Sequence, residues 1–309
     1  MSSDGASRIT RLGRSDIVRL LSENGLHPSR ALGQNFVCDP NTVERIARLA
    51  GVGPGDRVVE IGAGLGSLTL ALAATGASVT AIEVDHGLVP VLRTVVEPAG
   101  VRVVEGDALR LDWDEVLRKG GDDGHPVAPS SREGSSDTTG WTLVANLPYN
   151  VATPLVAELL ERVPAISTML VMVQREVGER LVAKAGDSAY GAVSVKVAYF
   201  ADAAVVGRVS PEVFVPRPNV ESALVRIVRR ERPAVDPDAV PYDELFKLVR
   251  AGFAVRRKML RRALAGLVQP DAFVEAGIDP SARAEMLDVA AWGTLARCQR
   301  AIESRHAPS

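Results

Sequence analysis

The sequence predicts an α/β protein with a mostly parallel sheet and a smaller C-terminal helical domain. Short β-branched runs alternate with helical patterns from residue 41 onward, and a glycine-rich turn follows the first of these runs. Three prolines within residues 233–241 precede a long helical pattern, which indicates a linker between two domains. With 309 residues and a 46% hydrophobic share, the chain is long enough to bury a sizeable core.

The chain divides into four predicted regions. The N-terminal region carries several arginines and a short amphipathic pattern at 17–21, which predicts a flexible arm and one helix. A Gly/Ser/Asp-rich stretch inside the α/β domain predicts a disordered surface insertion. The predicted boundaries are 1–30 for the arm and helix, 31–232 for the α/β domain with its insertion at 119–140, 233–241 for the linker and 242–309 for the helical domain.

Hydrophobic periodicity locates the elements within these regions. In the α/β domain, helices are predicted at 41–50 and 67–74, and a helical pattern covers 242–302 beyond the linker. The predicted strands are short and rich in β-branched residues, and they span 58–61, 79–82, 101–104, 143–145 and 168–173.

The glycine-rich turn discriminates between cofactors. A strand at 58–61 leads into Gly62, Gly64 and Gly66, and an apolar helix follows, as in Rossmann-like nucleotide-binding domains. A dinucleotide turn has the pattern G-x-G-x-x-G, but here Ser67 stands where its last glycine would be. The pattern E-x-G-x-G-x-G is similar to the first motif of S-adenosylmethionine (SAM) methyltransferases. Since SAM has no pyrophosphate, the glycines would allow close backbone approach to its methionine and ribose portions.

Two carboxylates continue this pattern along the chain. Glu83 ends the next strand, seventeen positions after Gly66, and suits a bidentate grip on ribose hydroxyls. Asp107 follows the third strand and could accept a hydrogen bond from an adenine amine. Either residue alone could be a solvated loop carboxylate. Their order after three successive strands favours a cofactor site.

The stretch Asn146-Leu147-Pro148-Tyr149 follows the apolar run at 141–145. Adenine N6 is a weak nucleophile, because its lone pair is delocalised into the ring. The Asn146 side-chain oxygen and a backbone carbonyl near Pro148 could accept from its two N–H bonds, and Tyr149 could stack on the base. An isolated N-x-P-Y could equally be a turn with a core tyrosine. The preceding glycine turn favours the catalytic interpretation.

A basic segment contrasts with the overall charge. The net charge of −2 and pI near 6.2 lack the basic signature of a nucleic-acid binder, yet residues 246–262 hold seven cations and no acid. On a helix, Arg250, Arg257 and Arg261 would share one face while Phe253 and Leu260 turn toward a core. We predict a phosphate-contacting helix, the alternative being a solvated helical face. Its cations are Lys247, Arg250, Arg256, Arg257, Lys258, Arg261 and Arg262.

Several function classes are disfavoured. No apolar run approaches the ~18 to 20 residues that span a bilayer, and the N-terminal residues lack a signal-peptide core, so we expect a cytoplasmic protein without membrane contact. Two cysteines lie far apart and four histidines do not cluster. We therefore expect no metal and no disulfide.

Taken together, these motifs resemble the ribosomal RNA adenine N6-dimethyltransferase family, most closely its bacterial small-subunit branch. The resemblance covers 31–301 apart from the insertion. Its motifs are Leu32-Gly33-Gln34-Asn35-Phe36, the glycine turn, Gly106-Asp107-Ala108, Asn146-Leu147-Pro148-Tyr149-Asn150, residues 172–177, Tyr190-Gly191, residues 214–222 and Arg256-Arg257-Lys258.

The resemblance implies a cofactor site and a base site. It implies Phe214 as a second aromatic residue near the target base, although Phe214 could also be a core residue. The family usually has proline at Ala63 and leucine at Val37, and both replacements here are small and apolar. SAM would be lined by Asn35, Val37, Gly62, Glu83, Asp107 and Asn146, and the adenine would be held by Asn146, Leu147 and Tyr149.

The implied reaction is SAM-dependent N6,N6-dimethylation of two adjacent adenosines in the 3′-terminal hairpin loop of small-subunit rRNA. The implied partner is this rRNA in the 30S subunit or its precursor, with a monomeric enzyme and no action on DNA. Leu147 argues against an adenine DNA methyltransferase, which would be expected to have proline there. The remaining alternatives are a large-subunit rRNA methyltransferase of the macrolide-resistance (Erm) type and a catalytically silent assembly factor.

Overall fold

The computed structural model describes residues 11–29, 31–119, 140–148 and 151–306. Three predicted features lie outside these ranges, namely the first ten residues of the arm, residues 120–139 of the insertion, and Tyr149. Among the described residues, no helix is both long and apolar enough to cross a membrane.

Strands and helices alternate along the first part of the chain. The strands are β1 (Phe36–Val37), β2 (Arg57–Ile61), β3 (Ser78–Glu83), β4 (Arg102–Glu105), β5 (Trp141–Asn146), β6 (Ile166–Gln174), β7 (Ala201–Val209), β8 (Phe214–Val215) and β9 (Ser222–Arg229). The helices are α1 (Arg14–Glu23), α2 (Pro40–Ala50), α3 (Ser67–Ala73), α4 (Val89–Val96), α5 (Trp113–Lys119), α6 (Ala152–Arg162), α7 (Arg175–Val182), α8 (Ala192–Phe200), α9 (Tyr242–Ala254), α10 (Leu260–Ala263), α11 (Pro270–Ala276) and α12 (Val289–His306).

Seven strands form one sheet in the order β4-β3-β2-β5-β6-β9-β7, and the five strands from β4 to β6 are parallel neighbours. The chain adds β3 and β4 on one side of β2, then returns to add β5 and β6 on the other side. In open α/β sheets, ligands bind at this reversal, beyond the carboxyl ends of the strands. The predicted α/β fold, a Rossmann-like sheet, is confirmed.

The boundaries of helix α2 follow from local signals. Asp39 caps α2 by accepting from Thr42 N at 3.0 Å, Pro40 begins the helix, and Gly51 ends it in the left-handed region. Helix α1 buries one apolar side, with Ile17 in the core of the sheet unit. The predicted N-terminal helix is therefore packed on the α/β domain.

The chain forms two compact units, one made of Met1–Gly178 and Ala204–Ile227, the other of Glu179–Ala203 and Val228–Ser309. These divisions differ from the predicted boundaries at 232 and 242. In the second unit, Tyr190 and Tyr199 belong to the same hydrophobic cluster as Phe246 and Trp292. Proline content predicts a linker, but it carries no information about which distant segment an apolar side chain packs against.

Candidate active site

Four strands of the first unit present six of the predicted cofactor residues at the carboxyl end of the sheet. The glycine turn follows β2, Glu83 ends β3, Asp107 follows β4 and Asn146 ends β5. Because the carboxyl ends of parallel strands meet at one edge, residues distant in the sequence are brought together.

The glycine turn is tied to the neighbouring strand. Gly62 N and Ala63 N both donate to Ile82 O, at 2.9 and 3.1 Å. Gly64 has φ +58°, and a Cβ on it would lie 3.0 Å from the ring of Phe36. The turn thus requires glycine for both its conformation and its close approach to β1.

Glu83 is buried and already accepts three backbone hydrogen bonds. Its Oε2 accepts from Gly64 N at 2.7 Å, and its Oε1 accepts from Val84 N and Asp85 N, both at 3.0 Å. Burial raises the pKa of this carboxyl, while the three backbone donors oppose the rise. Of the roughly four acceptor sites on a carboxylate, the one left unused on Oε2 can accept from a ribose hydroxyl.

Two adjoining depressions flank these residues. An open cleft of about 90 Å³ is lined by Asn35, Val37, Glu83 and Asn146 among others. A second depression of about 190 Å³ holds Asp107 at an otherwise mainly apolar wall that includes Leu109. An adenine ring matches the second depression, since it has apolar faces and a polar edge. Four residues line both, namely Leu32, Gly62, Val84 and Pro148.

Glu60 and Ser67 give an independent test of whether SAM fits. Both line the open cleft, and among the described residues neither Glu60 Oε2 nor Ser67 Oγ has a hydrogen-bond partner although both atoms are buried. Buried polar atoms without partners are rare in native proteins and point to a ligand or water. The methionine portion of SAM carries an ammonium group that can donate to such atoms. The donor and acceptor set of the cleft therefore fits SAM.

Glu60 also makes stability depend on pH. Burial raises the pKa of Glu60 to about 8; the nearby Thr69 hydroxyl opposes the rise, and the negative charge of Glu83 adds to it. Between the ordinary value of 4.5 and about 8 the folded state holds one more proton than the unfolded state, so the free energy of unfolding falls as pH rises.

We expect Glu60→Gln to remove this pH dependence. The free energy of unfolding of the variant, relative to that of the wild type, should be higher at pH 8 than at pH 5 by about 3 to 4 kcal/mol, since each pH unit of one-proton linkage is worth about 1.4 kcal/mol. Denaturant unfolding at both pH values measures the difference. Glu97→Gln, which alters an exposed carboxylate beside Arg93, should follow the wild type. The prediction would be contradicted if the free energy of unfolding changed with pH to the same extent in Glu60→Gln and in the wild type.

The Asn146 side chain has a defined orientation. Its Nδ2 donates to Asn35 O at 2.9 Å. Because a carbonyl oxygen can only accept, the amide nitrogen faces Asn35 and Oδ1 is left for another donor. The next residue, Leu147, donates its N–H to Met172 O at 3.0 Å, and its side chain is buried.

The backbone carbonyls beyond Asn146 differ in availability. Pro148 O accepts from Val151 N at 3.2 Å and from Ala152 N at 3.1 Å, so it is occupied at the start of α6. Within the described part of the chain, no donor is bonded to Leu147 O. Of the carbonyls predicted near Pro148, that of Leu147 is therefore the better candidate for a second acceptor.

Phe214 lies in the core of the first unit. It is 1% exposed and pairs with Val37 between the antiparallel strands β8 and β1. The structure thus places it beside a residue that lines the cleft, with its ring buried. Its predicted contact with the target base stays a prediction, as does the stacking role of Tyr149.

The prediction of a single basic helix over residues 246–262 is wrong. Helix α9 ends at Ala254, and α10 begins only at Leu260, whose N–H donates to Ala282 O at 2.8 Å. Hydrogen bonds to a distant segment thus replace helical ones, which a charge pattern cannot predict. In addition, the charge of Arg256 is paired with an acid, since its Nε lies 2.6 Å from Glu285 Oε2.

The six other cations of this segment remain exposed in the second unit. Two lie on α9, two in the turn between the helices and two on α10, and they are Lys247, Arg250, Arg257, Lys258, Arg261 and Arg262. Arg250, Arg257 and Arg261 do not share one helical face, because the helix that would align them is interrupted.

Sequence reasoning assigned no role to three residues of the cleft. Glu60 and Gln34 stand inside recognised motifs, and Phe36 packs against the glycine turn. Their chemistry depends on burial and on distant partners. A carboxylate that is 1% exposed at a strand end is a signal that only a structure supplies.

The cleft lies where the strand order reverses, and its residues suit a nucleoside and an amino acid. Together with a glycine turn whose spacing differs from that of dinucleotide-binding proteins, this defines the class of SAM-dependent methyltransferases. A profile of the family described as "Ribosomal RNA adenine dimethylase" matches residues 27–299, and the chain belongs to this family.

Curated relatives support this membership over nearly the whole chain. "Ribosomal RNA small subunit methyltransferase A" of Cutibacterium acnes is 47% identical, covering 94% of each chain. The protein of the same name from Bifidobacterium longum subsp. infantis is 44% identical, covering 95% of this chain and 94% of the relative.

Solved structures support the fold. A dimethyladenosine transferase from Plasmodium falciparum has a TM-score of 0.65 at 24% identity, covering 83% of this chain and 94% of its own. The 23S rRNA methyltransferase ErmE has a TM-score of 0.62 at 24% identity, covering 86% and 99%.

Proposed function

We propose that this enzyme dimethylates N6 of two adjacent adenosines near the 3′ end of small-subunit rRNA, in the 30S subunit or its precursor. The observation that carries the proposal is the Asn146 amide, which is oriented by Asn35 O and leaves its oxygen available beside the cofactor cleft. The named activity of relatives at 44% and 47% identity supports the substrate.

The chain's own groups act by positioning and electrostatics. Asn146 Oδ1 and Leu147 O accept from the two N6–H bonds and draw the nitrogen lone pair out of conjugation with the ring. Glu83 and Asp107 would hold the ribose and adenine of SAM, which would supply an activated methyl group. Water accepts the proton from the methylated amine, so no strong general base is required.

The compartment, the oligomeric state and the exclusion of DNA belong to the same proposal. Small subunits are assembled in the cytoplasm, and all the groups proposed for cofactor binding come from one chain. Leu147 stands where adenine DNA methyltransferases have proline. We propose a cytoplasmic monomer that does not act on DNA.

Tritiated methyl transfer from SAM tests this function. The acceptors are 30S subunits lacking the modification, 50S subunits and naked DNA, with N6,N6-dimethyladenosine identified by mass. Label on 30S subunits alone is expected. Label on 50S subunits would replace the proposal with the Erm-type activity, and subunit binding without label would favour a silent assembly factor.

The exposed cations of the second unit are proposed to contact rRNA phosphates. We expect Arg257→Ala/Lys258→Ala to weaken binding to 30S subunits about tenfold and to reduce the salt dependence of log K by roughly 1 to 2. Binding is measured by filter retention from ~50 to 200 mM salt. Arg297→Ala/Arg305→Ala removes two exposed arginines from α12 and should change neither quantity as much. An equal loss of affinity for 30S subunits in both double variants would indicate a general effect of positive charge and contradict the proposed contact.

A further inference from the structure

Gln34 uses both ends of its side-chain amide in hydrogen bonds. Its Nε2 donates to Asp85 Oδ2 at 2.6 Å, and its Oε1 accepts from Ser29 N at 2.7 Å. Its backbone N–H also donates to Ser29 O at 3.1 Å. The segment around Gln34 is therefore fastened to the loop that follows β3.

Asp85 is itself held next to the ribose-binding carboxylate. Its N–H donates to Glu83 Oε1 at 3.0 Å, and its Oδ1 accepts from Gly87 N at 2.9 Å. The oxygen that bonds Gln34 is thus placed by the same turn that places Glu83. A charged acceptor of this kind makes one of the stronger side-chain hydrogen bonds.

The residue after Gln34 contacts the proposed catalytic amide. Asn35 O accepts from Asn146 Nδ2 at 2.9 Å, and Asn35 Nδ2 donates to Gly33 O at 3.1 Å. Immediately afterwards, Phe36 and Val37 pair with β8. The Asn35 carbonyl is therefore held between two attachments, Gln34–Asp85 on one side and the β1–β8 pair on the other.

We propose that Gln34 is a positioning residue for methyl transfer. By bonding Asp85, it holds the Asn35 carbonyl where that carbonyl orients the Asn146 amide and turns Oδ1 toward the target amine. This inference rests on the proposed role of Asn146. It adds that Glu83, proposed to hold the ribose, and Asn146, proposed to activate the base, are connected by hydrogen bonds through Asp85, Gln34 and Asn35.

The expected effect is on turnover rather than on cofactor affinity. Gln34→Ala should lower kcat about 10- to 100-fold, since an error of about 1 Å in a reacting group can cost 10² in rate. The Kd of SAM, measured by calorimetry, should change less than about threefold, because Glu83 keeps its three backbone donors. Asp85→Ala should have the same effect on kcat, and the double variant should be no slower than either single variant.

Asp56→Ala is the matched control. Asp56 Oδ2 accepts from Gly53 N at 2.8 Å. This bond lies just before the start of β2, at the amino-terminal end of the strand and so away from the cleft at its carboxyl end. The variant removes a comparable hydrogen bond from the same unit and should leave kcat unchanged. In addition, the side-chain amide resonances of Asn146, assigned by their absence in Asn146→Ala, should shift in Gln34→Ala without SAM and stay in place in Asp56→Ala.

The outcomes separate this inference from the proposed function. Parental kcat in Gln34→Ala, a loss of kcat matched by a loss of SAM affinity, or multiplicative losses in the double variant would each overturn the positioning role alone. A parent enzyme that labels no ribosomal subunit would overturn the proposed function and this inference with it.

Discussion

Asn146→Ala is expected to lower methyl transfer to 30S subunits by about 10³-fold at saturating SAM, as removal of a well-placed electrostatic group does in other enzymes. The variant removes the oxygen that we assign to the N6–H bond and leaves Asn35 O without its donor. The variant leaves Glu83 and Asp107, the groups proposed to hold SAM, untouched, so the Kd of SAM should change only a few-fold. Single-turnover transfer and calorimetry measure the two effects separately.

Asn24→Ala provides the matched control for this variant. Asn24 Nδ2 donates to Leu20 O at 2.8 Å at the end of α1, so its removal costs a similar amide-to-carbonyl bond away from the cleft. It should retain parental transfer. If Asn146→Ala methylates at the parental rate, the amine-activating role of Asn146 is wrong.

Gly66→Ala should destabilise the first unit by about 3 kcal/mol or more. Gly66 has φ +90° at the start of α3, and a Cβ there would lie 2.5 Å from Val96 Cγ1 and 3.2 Å from Leu92 Cδ1. Relief of this overlap must displace either the turn or α4. Because the turn forms the cofactor cleft, SAM affinity should fall together with the free energy of unfolding.

Gly55→Ala separates backbone strain from steric overlap. Gly55 has φ +88°, almost the same as Gly66, but a Cβ there would meet no atom within 4 Å. Its cost should be about 1 kcal/mol from the backbone alone, with SAM affinity unchanged. Denaturant unfolding of both variants gives the difference. Equal destabilisation would show that packing against α4 contributes nothing.

Local patterns were sufficient for the sheet and for the order of its motifs. The β-branched runs that predicted strands at 58–61 and 79–82 lie in β2 and β3, which pair in parallel. The glycine spacing indicated SAM rather than a dinucleotide, and the structure places Glu83 in the same cleft as that turn. These signals are short-range, because strand periodicity and glycine conformation depend on neighbouring residues alone.

Less local patterns gave incomplete predictions. The charge run at 246–262 suggested one helix, but hydrogen bonding between Leu260 N and Ala282 O starts a new element. Strands β7 and β9 and helix α8 were not predicted. A hydrophobic pattern does not show which distant segment an element packs against. The assignment of Glu179–Ala203 to the second unit therefore also depended on the structure.

The sequence by itself determined the parallel α/β fold, the SAM-type glycine turn and the residues that end each strand beside it. Only the tertiary structure decided how these residues interact. It showed the burial of Glu60, the bond from Gln34 to Asp85 and the bond from Asn146 to Asn35, two residues separated by 111 positions. The physical reason is that burial and hydrogen-bond partners arise from the crossing of distant strands and loops, whereas backbone preference and periodicity are already present in each short segment.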